Sequence, residues 1–275
     1  MAFIESIKKT FKQLGKKNED PLLVAWEMIS NRKFNDAREK LSKTIIPENV
    51  RHRKIFLEAI IDYYQNNHQE SLFKLESIEK PDFLSDPFLL SFYEHKGYNL
   101  EKLNRYKEAI EAFNTSIEAK ESVIPDHYII FQHRGNSYHR LKKYENAIKD
   151  FETSINLKPL AETYHNKALS LFASKRFDSA LENFDRSIEL SQEIPTFFFN
   201  RMKLHIEMKN WAPAINDADI LLAKNSYENE ALLYRGTAKC HTGNIKDGLR
   251  DLQLVKGGAL YEEAQKLIAK YEFHN

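Results

Sequence analysis

The residues that could carry catalysis or bind a metal are ten histidines and one cysteine, and their spacing forms no catalytic motif. The sequence contains neither an HExxH motif nor a glycine-rich phosphate loop. His133 and His139 are six residues apart, which places them on different faces of a helix. Cys240 and His241 are adjacent, but no third residue is in view that would activate the thiol. The sequence therefore predicts no enzyme, no cofactor and no metal site.

The composition is typical of a folded protein with no bias towards nucleic acid. Apolar residues make up 42% of the chain and charged residues 29%, and 41 basic residues almost balance 40 acidic ones. Cys240 is the only cysteine, which excludes a disulfide framework and suits a reducing compartment. No apolar run is long enough to cross a membrane as a helix, and the first residues lack the apolar core of a secretion signal. These features predict a cytoplasmic protein that does not bind nucleic acid.

A stretch of twelve residues recurs three times in the middle of the chain. The copies are YKEAIEAFNTSI (106–117), YENAIKDFETSI (144–155) and FDSALENFDRSI (177–188), each with an aromatic residue, then a small residue, then Phe. This pattern resembles the tetratricopeptide repeat family, whose unit of 34 residues is a pair of helices. We number the small residue of this pattern as position 20 of the unit. Small residues then recur at this position throughout the chain, at Ala37, Ser71, Ala109, Ala147, Ala180, Ala214 and Gly248.

Small residues also recur at position 8, on the first helix of each unit. They are Ala25, Ala59, Gly97, Gly135, Ala168 and Gly236, with Met202 in the sixth unit as the exception. Because two helices approach closely only where both lack bulk, we predict that positions 8 and 20 face each other in every hairpin. Met202 predicts a looser sixth hairpin.

The resemblance implies an all-α fold, a right-handed α-solenoid of about seven helix hairpins over residues 18–257. Residues 258–275 are predicted to form a C-terminal helix that caps the last hairpin. Residues 1–17 are predicted to form a basic amphipathic helix, because Phe3, Ile7 and Phe11 form one apolar stripe opposite several lysines. This N-terminal helix has three interpretations. It caps the first hairpin, docks a partner, or lies on an anionic membrane surface.

Basic residues recur at position 7 of the third to seventh hairpins, at Lys96, Arg134, Lys167, Arg201 and Arg235. They have two interpretations, a stripe that binds phosphate or a set of ion pairs within the hairpins. An aspartate follows each arginine at a constant distance, which favours the ion pairs. We predict that the paired side chains lie within about 4 Å of each other. The pairs are Arg134 with Asp150, Arg201 with Asp217, Arg235 with Asp251 and, with the signs reversed, Lys74 with Glu58.

The resemblance also implies that the first helices line a groove, in which the family usually binds extended peptides or partner helices. The implied partner-binding residues are His95, Tyr98, His133, Asn136, His139, Arg140, His165, Asn166, Leu169, Phe172, Phe199, Asn200, Lys203 and Tyr234. Asn136, Asn166 and Asn200 come from consecutive hairpins, and we predict that they form a row whose amides bind a peptide backbone. If the histidines contribute, binding should change between about pH 5.5 and 7.5.

The sequence thus predicts a scaffold or adaptor that binds a segment of another protein in its groove. The alternative is a peripheral membrane assembly factor that residues 1–17 recruit to the membrane surface. The sequence leaves the identity of the partner and the oligomeric state open.

Overall fold

The computed structural model describes residues 21–48, 51–78, 87–118 and 127–272, so the predicted helix at residues 1–17 lies outside the described part. The described residues form fifteen α-helices and no strands, which confirms the all-α fold class. The helices are α1 (Pro21–Ser30), α2 (Phe34–Lys43), α3 (Arg51–Tyr64), α4 (His68–Glu76), α5 (Pro87–Lys102), α6 (Tyr106–Glu118), α7 (Tyr128–Arg140), α8 (Tyr144–Leu157), α9 (Ala161–Ala173), α10 (Phe177–Leu190), α11 (Pro195–Glu207), α12 (Trp211–Ala223), α13 (Glu228–His241), α14 (Ile245–Leu254) and α15 (Gly258–Glu272).

The helices pack as consecutive hairpins, so the fold is a solenoid of helix hairpins, and the chain divides into two compact units. The first unit ends at Lys158 and the second begins at Pro159. The first unit contains the four hairpins from α1 to α8, and the second contains three hairpins, from α9 to α14, followed by α15. Within each unit the first helices of successive hairpins also contact one another. Residues of these first helices therefore share one face of their unit.

Each hairpin turn holds one residue in the left-handed region of backbone space. In the turn between α7 and α8 the N–H of Lys142 donates to the carbonyl of His139, and the N–H of Lys143 donates to that of Tyr138. These two bonds define a Schellman motif, in which glycine is the favoured left-handed residue. The left-handed residues of the seven turns are Arg32, Asn66, Asn104, Lys142, Lys175, Lys209 and Gly243.

The two helices of a hairpin approach closely at position 8. A Cβ atom on Gly97 would lie 2.5 Å from a ring carbon of Phe113, and one on Gly135 would lie 2.8 Å from the ring of Phe151. Both rings belong to position 24, one helical turn after the small residue of position 20. In these hairpins the missing side chain at position 8 therefore makes room for a phenylalanine.

In other hairpins position 8 does face position 20 directly, as predicted. The hydroxyl of Ser71 donates to the carbonyl of Ala59 at 2.7 Å. A Cβ atom on Gly236 would lie 2.8 Å from the carbonyl oxygen of Gly248. In the sixth hairpin Met202 is fully buried in one core cluster with Ala218, the residue at position 24. In this hairpin the large side chain is at position 8 and the small one at position 24, the reverse of the hairpins with Phe113 and Phe151. Met202 therefore fills the volume that phenylalanine fills there.

The side chains of the position-7 arginines connect successive hairpins. Arg201 binds Asp217 through two bonds, Nη2 to Oδ1 at 2.6 Å and Nε to Oδ2 at 3.0 Å. Its Nη1 donates to Asp185 of the preceding hairpin at 2.7 Å. Arg235 binds Asp251 and Asp219 in the same way.

The first unit contains the same arrangement. Arg134 binds Asp150 through two bonds and donates a third to Asn114 of the preceding hairpin. The three predicted Arg–Asp pairs are therefore confirmed. Because these guanidinium groups are already occupied by protein acceptors, the interpretation as a phosphate-binding stripe is wrong for them.

The predicted pair of Glu58 and Lys74 is wrong by one helical turn. Lys74 pairs with Asp62, which is four residues after Glu58 and equally able to face α4. Asp62 also accepts from Nη2 of Arg38, in the preceding hairpin, at 2.6 Å. The signs of the charges are reversed, but the arrangement is the same as that of the arginines. One buried charge on a first helix binds partners on two successive second helices.

The segment predicted as a C-terminal cap contains α15, which packs on α13 and α14. Ala264 and Ile268 are buried in a core cluster with Leu252 and Val255. The opposite face of α15 carries the exposed residues Glu262, Glu263 and Lys266. The helix therefore covers apolar residues of the last hairpin and presents a charged surface.

Replacing Lys142 by glycine should raise the free energy of unfolding by up to about 1 kcal/mol, because glycine adopts the left-handed conformation without a Cβ penalty. The matched control is Lys149→Gly in the middle of α8, which should lower it by about 1 kcal/mol. Urea unfolding followed by circular dichroism measures both variants. An equal loss of stability in the two would contradict the role given to the turn.

Replacing Arg201 by methionine should lower the free energy of unfolding by about 3–5 kcal/mol, because Asp217 is 1% exposed and would be left without its partner. Adding Asp217→Leu should restore at least half of that loss, since it removes the unpaired charge. Chemical denaturation of the single and double variants makes the comparison. No recovery in the double variant would mean that the pair does more than neutralise a buried aspartate.

Candidate functional site

The residues implied as partner-binding lie on first helices of both units, and each group is described within its own unit. In the first unit they are His95, Tyr98, His133, Asn136, His139 and Arg140, on α5 and α7. In the second unit they are His165, Asn166, Leu169, Phe172, Phe199, Asn200, Lys203 and Tyr234, on α9, α11 and α13.

Three successive first helices of the first unit are joined by aromatic contacts. The ring centroid of Tyr98, on α5, lies 4.6 Å from that of His133 on α7. It also lies 5.7 Å from His95 and 6.1 Å from Tyr63, the latter on α3. Tyr63 escaped the sequence prediction because candidate positions were read only from the third hairpin onwards. Reading the same first-helix positions in the second hairpin would have found it.

His133 also forms a polar link between α5 and α7. Its Nδ1 lies 2.6 Å from Oε2 of Glu101, and both side chains are partly exposed. His139, one and a half turns further along α7, instead contacts the ring of Tyr144. Burial first, and the charge of Arg140 next, lower the pKa of His139. The two histidines therefore have different partners, as their spacing predicted.

His95 and His165 are core residues, each 7% exposed. Nδ1 of His95 donates to the carbonyl of Ser91 at 2.8 Å. Burial lowers the pKa of His95 to about 4 and has the same effect on the pKa of His165. Both imidazoles are therefore neutral at physiological pH, and the hypothesis of titration between pH 5.5 and 7.5 is wrong for these two residues.

The asparagines of the second unit flank His165. Nδ2 of Asn200 donates to Nε2 of His165 at 2.9 Å, which joins α11 to α9. Asn166 also bonds to His165 and favours its protonation, although burial outweighs this effect on the pKa. Part of the hydrogen-bonding capacity of Asn200 is therefore used inside the fold. Asn136 belongs to the other unit.

An aromatic patch lies at the surface of the second unit. The rings of Phe199 and Tyr227 are stacked, with centroids 4.3 Å apart and planes 9° from parallel. Nζ of Lys203 lies 5.5 Å from the centroid of Phe199. The hydroxyl groups of Tyr227 and Thr196 are 2.8 Å apart. Tyr227 was not predicted because it lies between two hairpins, outside the first-helix positions that the repeat pattern marks.

The other predicted residues of the second unit border these groups. Phe172 contacts Phe177 at the hairpin turn, with ring centroids 5.8 Å apart. Leu169 and Tyr234 are half-buried. Burial, followed by the carboxylates of Glu263 and Glu230, raises the pKa of Tyr234. The site residues of this unit are thus mainly aromatic, amide and amine groups.

The described residues contain no group of three or more histidine, cysteine or acidic side chains placed to hold a metal ion. Within the same residues, no helix combines the length and the apolar character needed to span a membrane.

Lowering the pH from 7 to 5 should reduce the free energy of unfolding by about 2 kcal/mol for each buried histidine. The native pKa of about 4 lies below the unfolded value of 6.5, so below pH 6.5 only the unfolded chain gains the proton. Urea unfolding at pH 7, 6 and 5 measures the loss. The His165→Gln variant should lack the part of this pH-dependent loss that is due to His165, and the His95→Gln variant should lack the part that is due to His95. An unchanged pH dependence in both variants would contradict the burial argument.

Comparisons with known proteins agree with the fold. The Tetratricopeptide repeat family model matches residues 90–123, 129–159 and 161–194, which cover most or all of the hairpins α5–α6, α7–α8 and α9–α10. No curated protein matches the sequence significantly.

Several solved structures have a similar fold. A tetratricopeptide repeat protein from Parabacteroides merdae is 15% identical, with a TM-score of 0.58 over 92% of this chain and 98% of its own. A MamA fragment from Desulfovibrio magneticus is 15% identical, with a TM-score of 0.53 over 65% of this chain and 94% of its own. One chain of the APC/C hetero-tetramer Cut9–Hcn1 is 16% identical to this chain, with a TM-score of 0.60 over 79% of this chain and 42% of its own length. The family model thus matches three successive repeats, and helix hairpins of the same kind continue on both sides of them.

Proposed function

We propose that this protein is a scaffold or adaptor that binds a segment of another protein on the face formed by its first helices. The tetratricopeptide repeat fold is generally a protein-interaction fold rather than a catalytic one. The first helices of each unit lie side by side, so residues from several hairpins are available to one extended segment. A reducing, cytoplasmic location suits the single cysteine, Cys240, which is buried.

The observation that carries the proposal is the stack of Phe199 and Tyr227. Tyr227 has a φ of +51°, in the left-handed region that costs a bulky residue energy. That conformation holds the ring against Phe199 while the side chain remains 36% exposed. A strained residue that keeps an aromatic pair at the surface favours a binding role over a purely structural one.

The neighbouring groups suit a peptide. Lys203 offers an exposed cation, and Asn200 keeps its side-chain oxygen for an N–H donor. Aromatic pairs with polar groups around them are common centres of binding energy in protein interfaces. We therefore propose that an apolar side chain of the partner packs on Phe199 and Tyr227, next to backbone contacts with α11.

The alternative, a peripheral membrane factor, depends on the lysine-rich apolar stripe of residues 1–17. Flotation with anionic liposomes, with and without these residues, tests it independently of the groove. Flotation that disappears with the segment would support the alternative.

Replacing Tyr227 by glycine should weaken partner binding by about tenfold or more, because it removes a surface aromatic ring. The same change should leave stability nearly unchanged, because the ease with which glycine adopts the left-handed backbone offsets the lost contacts of the ring with Phe199 and Thr196. The partner is first captured from native extract and identified by mass spectrometry, and its affinity for each variant is then measured by calorimetry.

The matched control is Leu190→Ala. Leu190 is an exposed apolar residue at the end of α10, a second helix, so its loss should not affect binding. If the Tyr227→Gly variant binds with full affinity, or if both variants lose affinity equally, the aromatic patch is not the binding site.

A further inference from the structure

Aromatic and basic side chains form a group in the second unit where α11, α13 and α15 end and α12 begins, and we call this group the Trp–His cluster. It consists of Lys209 in the turn before α12, Trp211 on α12, His241 on α13 and Tyr271 on α15. The rings of Trp211 and His241 are stacked, with centroids 4.2 Å apart and planes 5° from parallel. The ring centroid of Tyr271 lies 5.9 Å from that of His241, with the two planes nearly perpendicular. The imidazole is therefore held by rings from two neighbouring helices.

Three donor groups of the cluster have no acceptor inside the described part of the fold. Among the residues that the structure describes, the side chains of His241 and Lys209 form neither a hydrogen bond nor an ion pair, and both residues are exposed. The indole N–H of Trp211 has no acceptor within the same residues either. Stacking thus fixes the orientation of the imidazole but leaves its nitrogen atoms open to a ligand.

The charges that act on the imidazole are positive. Burial first, and the charges of Lys270 and Lys209 next, lower the pKa of His241. Lys270 is on α15 and Lys209 precedes α12, so the two charges come from different elements. Asp247, in the first turn of α14, is paired with Arg250 of the same helix. An anion beside the imidazole would therefore be attracted by both lysines.

The turn of the fifth hairpin shows what is particular to this cluster. Lys175 has the same left-handed backbone as Lys209, with φ angles of +62° and +58°. The aromatic residue that follows Lys175, Phe177, packs against Phe172 of its own hairpin. A lysine in the turn is therefore common to both hairpins, whereas the stacked imidazole belongs to the Trp–His cluster.

We propose that the Trp–His cluster binds a phosphorylated side chain of a protein segment. A phosphoryl group carries about 1.5 to 2 negative charges at pH 7 and three acceptor oxygens, so it can accept from an ammonium group and an imidazole at once. Its charge favours the protonated imidazole, which then has two N–H donors. A carboxylate would offer the same groups a smaller charge.

The cluster shares no residue with the aromatic patch of Phe199 and Tyr227, so this inference goes beyond the proposed function. A membrane surface is disfavoured as the ligand. The rings of Trp211 and Tyr271 pack around the imidazole and both are half-buried, so neither is placed to insert among lipid chains.

The test uses two synthetic pentapeptides with blocked ends, Ala-Ala-phosphoserine-Ala-Ala and the same peptide with unmodified serine. Binding is followed by NMR titration of the full-length protein at low salt, through the indole N–H signal of Trp211 and the ring signals of His241. The phosphopeptide should shift both sets of signals and bind about tenfold more tightly than the serine peptide, or better. It should also raise the pKa of His241 by about one unit, because a bound dianion stabilises the imidazolium. Added salt should weaken its binding, as screening requires.

Two variants assign the binding to the cluster. Lys209→Gln removes a charge that acts on the imidazole, and His241→Gln removes the imidazole itself. Each should weaken phosphopeptide binding about fivefold. Without peptide, Lys209→Gln should also raise the pKa of His241, since a repelling cation is lost. Lys175→Gln, at the equivalent exposed turn position of the fifth hairpin, is the matched control and should change neither quantity. Unchanged thermal melting shows that each variant remains folded.

Equal binding of the two peptides would overturn the proposal, as would equal losses in Lys209→Gln and Lys175→Gln. Unchanged signals of Trp211 and His241 at millimolar phosphopeptide would also overturn it. Binding to anionic vesicles that Lys209→Gln weakens, without binding of the phosphopeptide, would assign the cluster to a membrane surface instead. The captured partner and Tyr227→Gly test the proposed function separately. If that partner binds through Tyr227 while the phosphopeptide does not bind, only the inference about the Trp–His cluster fails.

Discussion

The architecture depends on buried or partly buried charges of the first helices that are each shared by two second helices. Arg201 illustrates the arrangement, since it binds Asp217 of its own hairpin and Asp185 of the preceding one. A partly buried charge of this kind contributes less to net stability than to the choice of one geometry, because any other arrangement leaves it or its buried aspartate unpaired. The arginine therefore fixes where one hairpin lies on the previous one. The spacing of the first helices, and with it the surface they present, follows from that choice.

Much of the fold could be predicted because its causes lie within one repeat. The arginine and its aspartate are separated by a constant number of residues, so Arg134, Arg201 and Arg235 could be paired correctly from the sequence. Glu58 and Asp62 are one turn apart on the same helix face, and sequence spacing cannot separate them. The contact with Arg38, contributed by the preceding hairpin, distinguishes Asp62.

The candidate site was harder to predict because its surroundings come from neighbouring hairpins. His95 occupies a groove position by its number, yet Phe56 and Tyr63 of α3 pack against it and bury it. The unusual Ser71 of the second hairpin has a similar cause. Its hydroxyl accepts from Nδ2 of Asn99 on α5, whose oxygen in turn accepts from His68. Such complementary changes lie in different repeats, so a comparison position by position reads them as departures from the pattern.

The pattern of the arginines also determines how such a chain can change length. In the second unit Arg201 and Arg235 are separated by one repeat, and so are Asp185 and Asp219, and Asp217 and Asp251. Removing one whole repeat would place Asp185 where Asp219 now stands, and Arg235 would find a carboxylate at the same place. Duplicating the sixth or seventh hairpin would likewise supply the new guanidinium with both acceptors. The sixth and seventh hairpins are therefore interchangeable in these ion pairs, so gain or loss of a repeat of this kind can alter the binding surface without leaving its arginine unpaired.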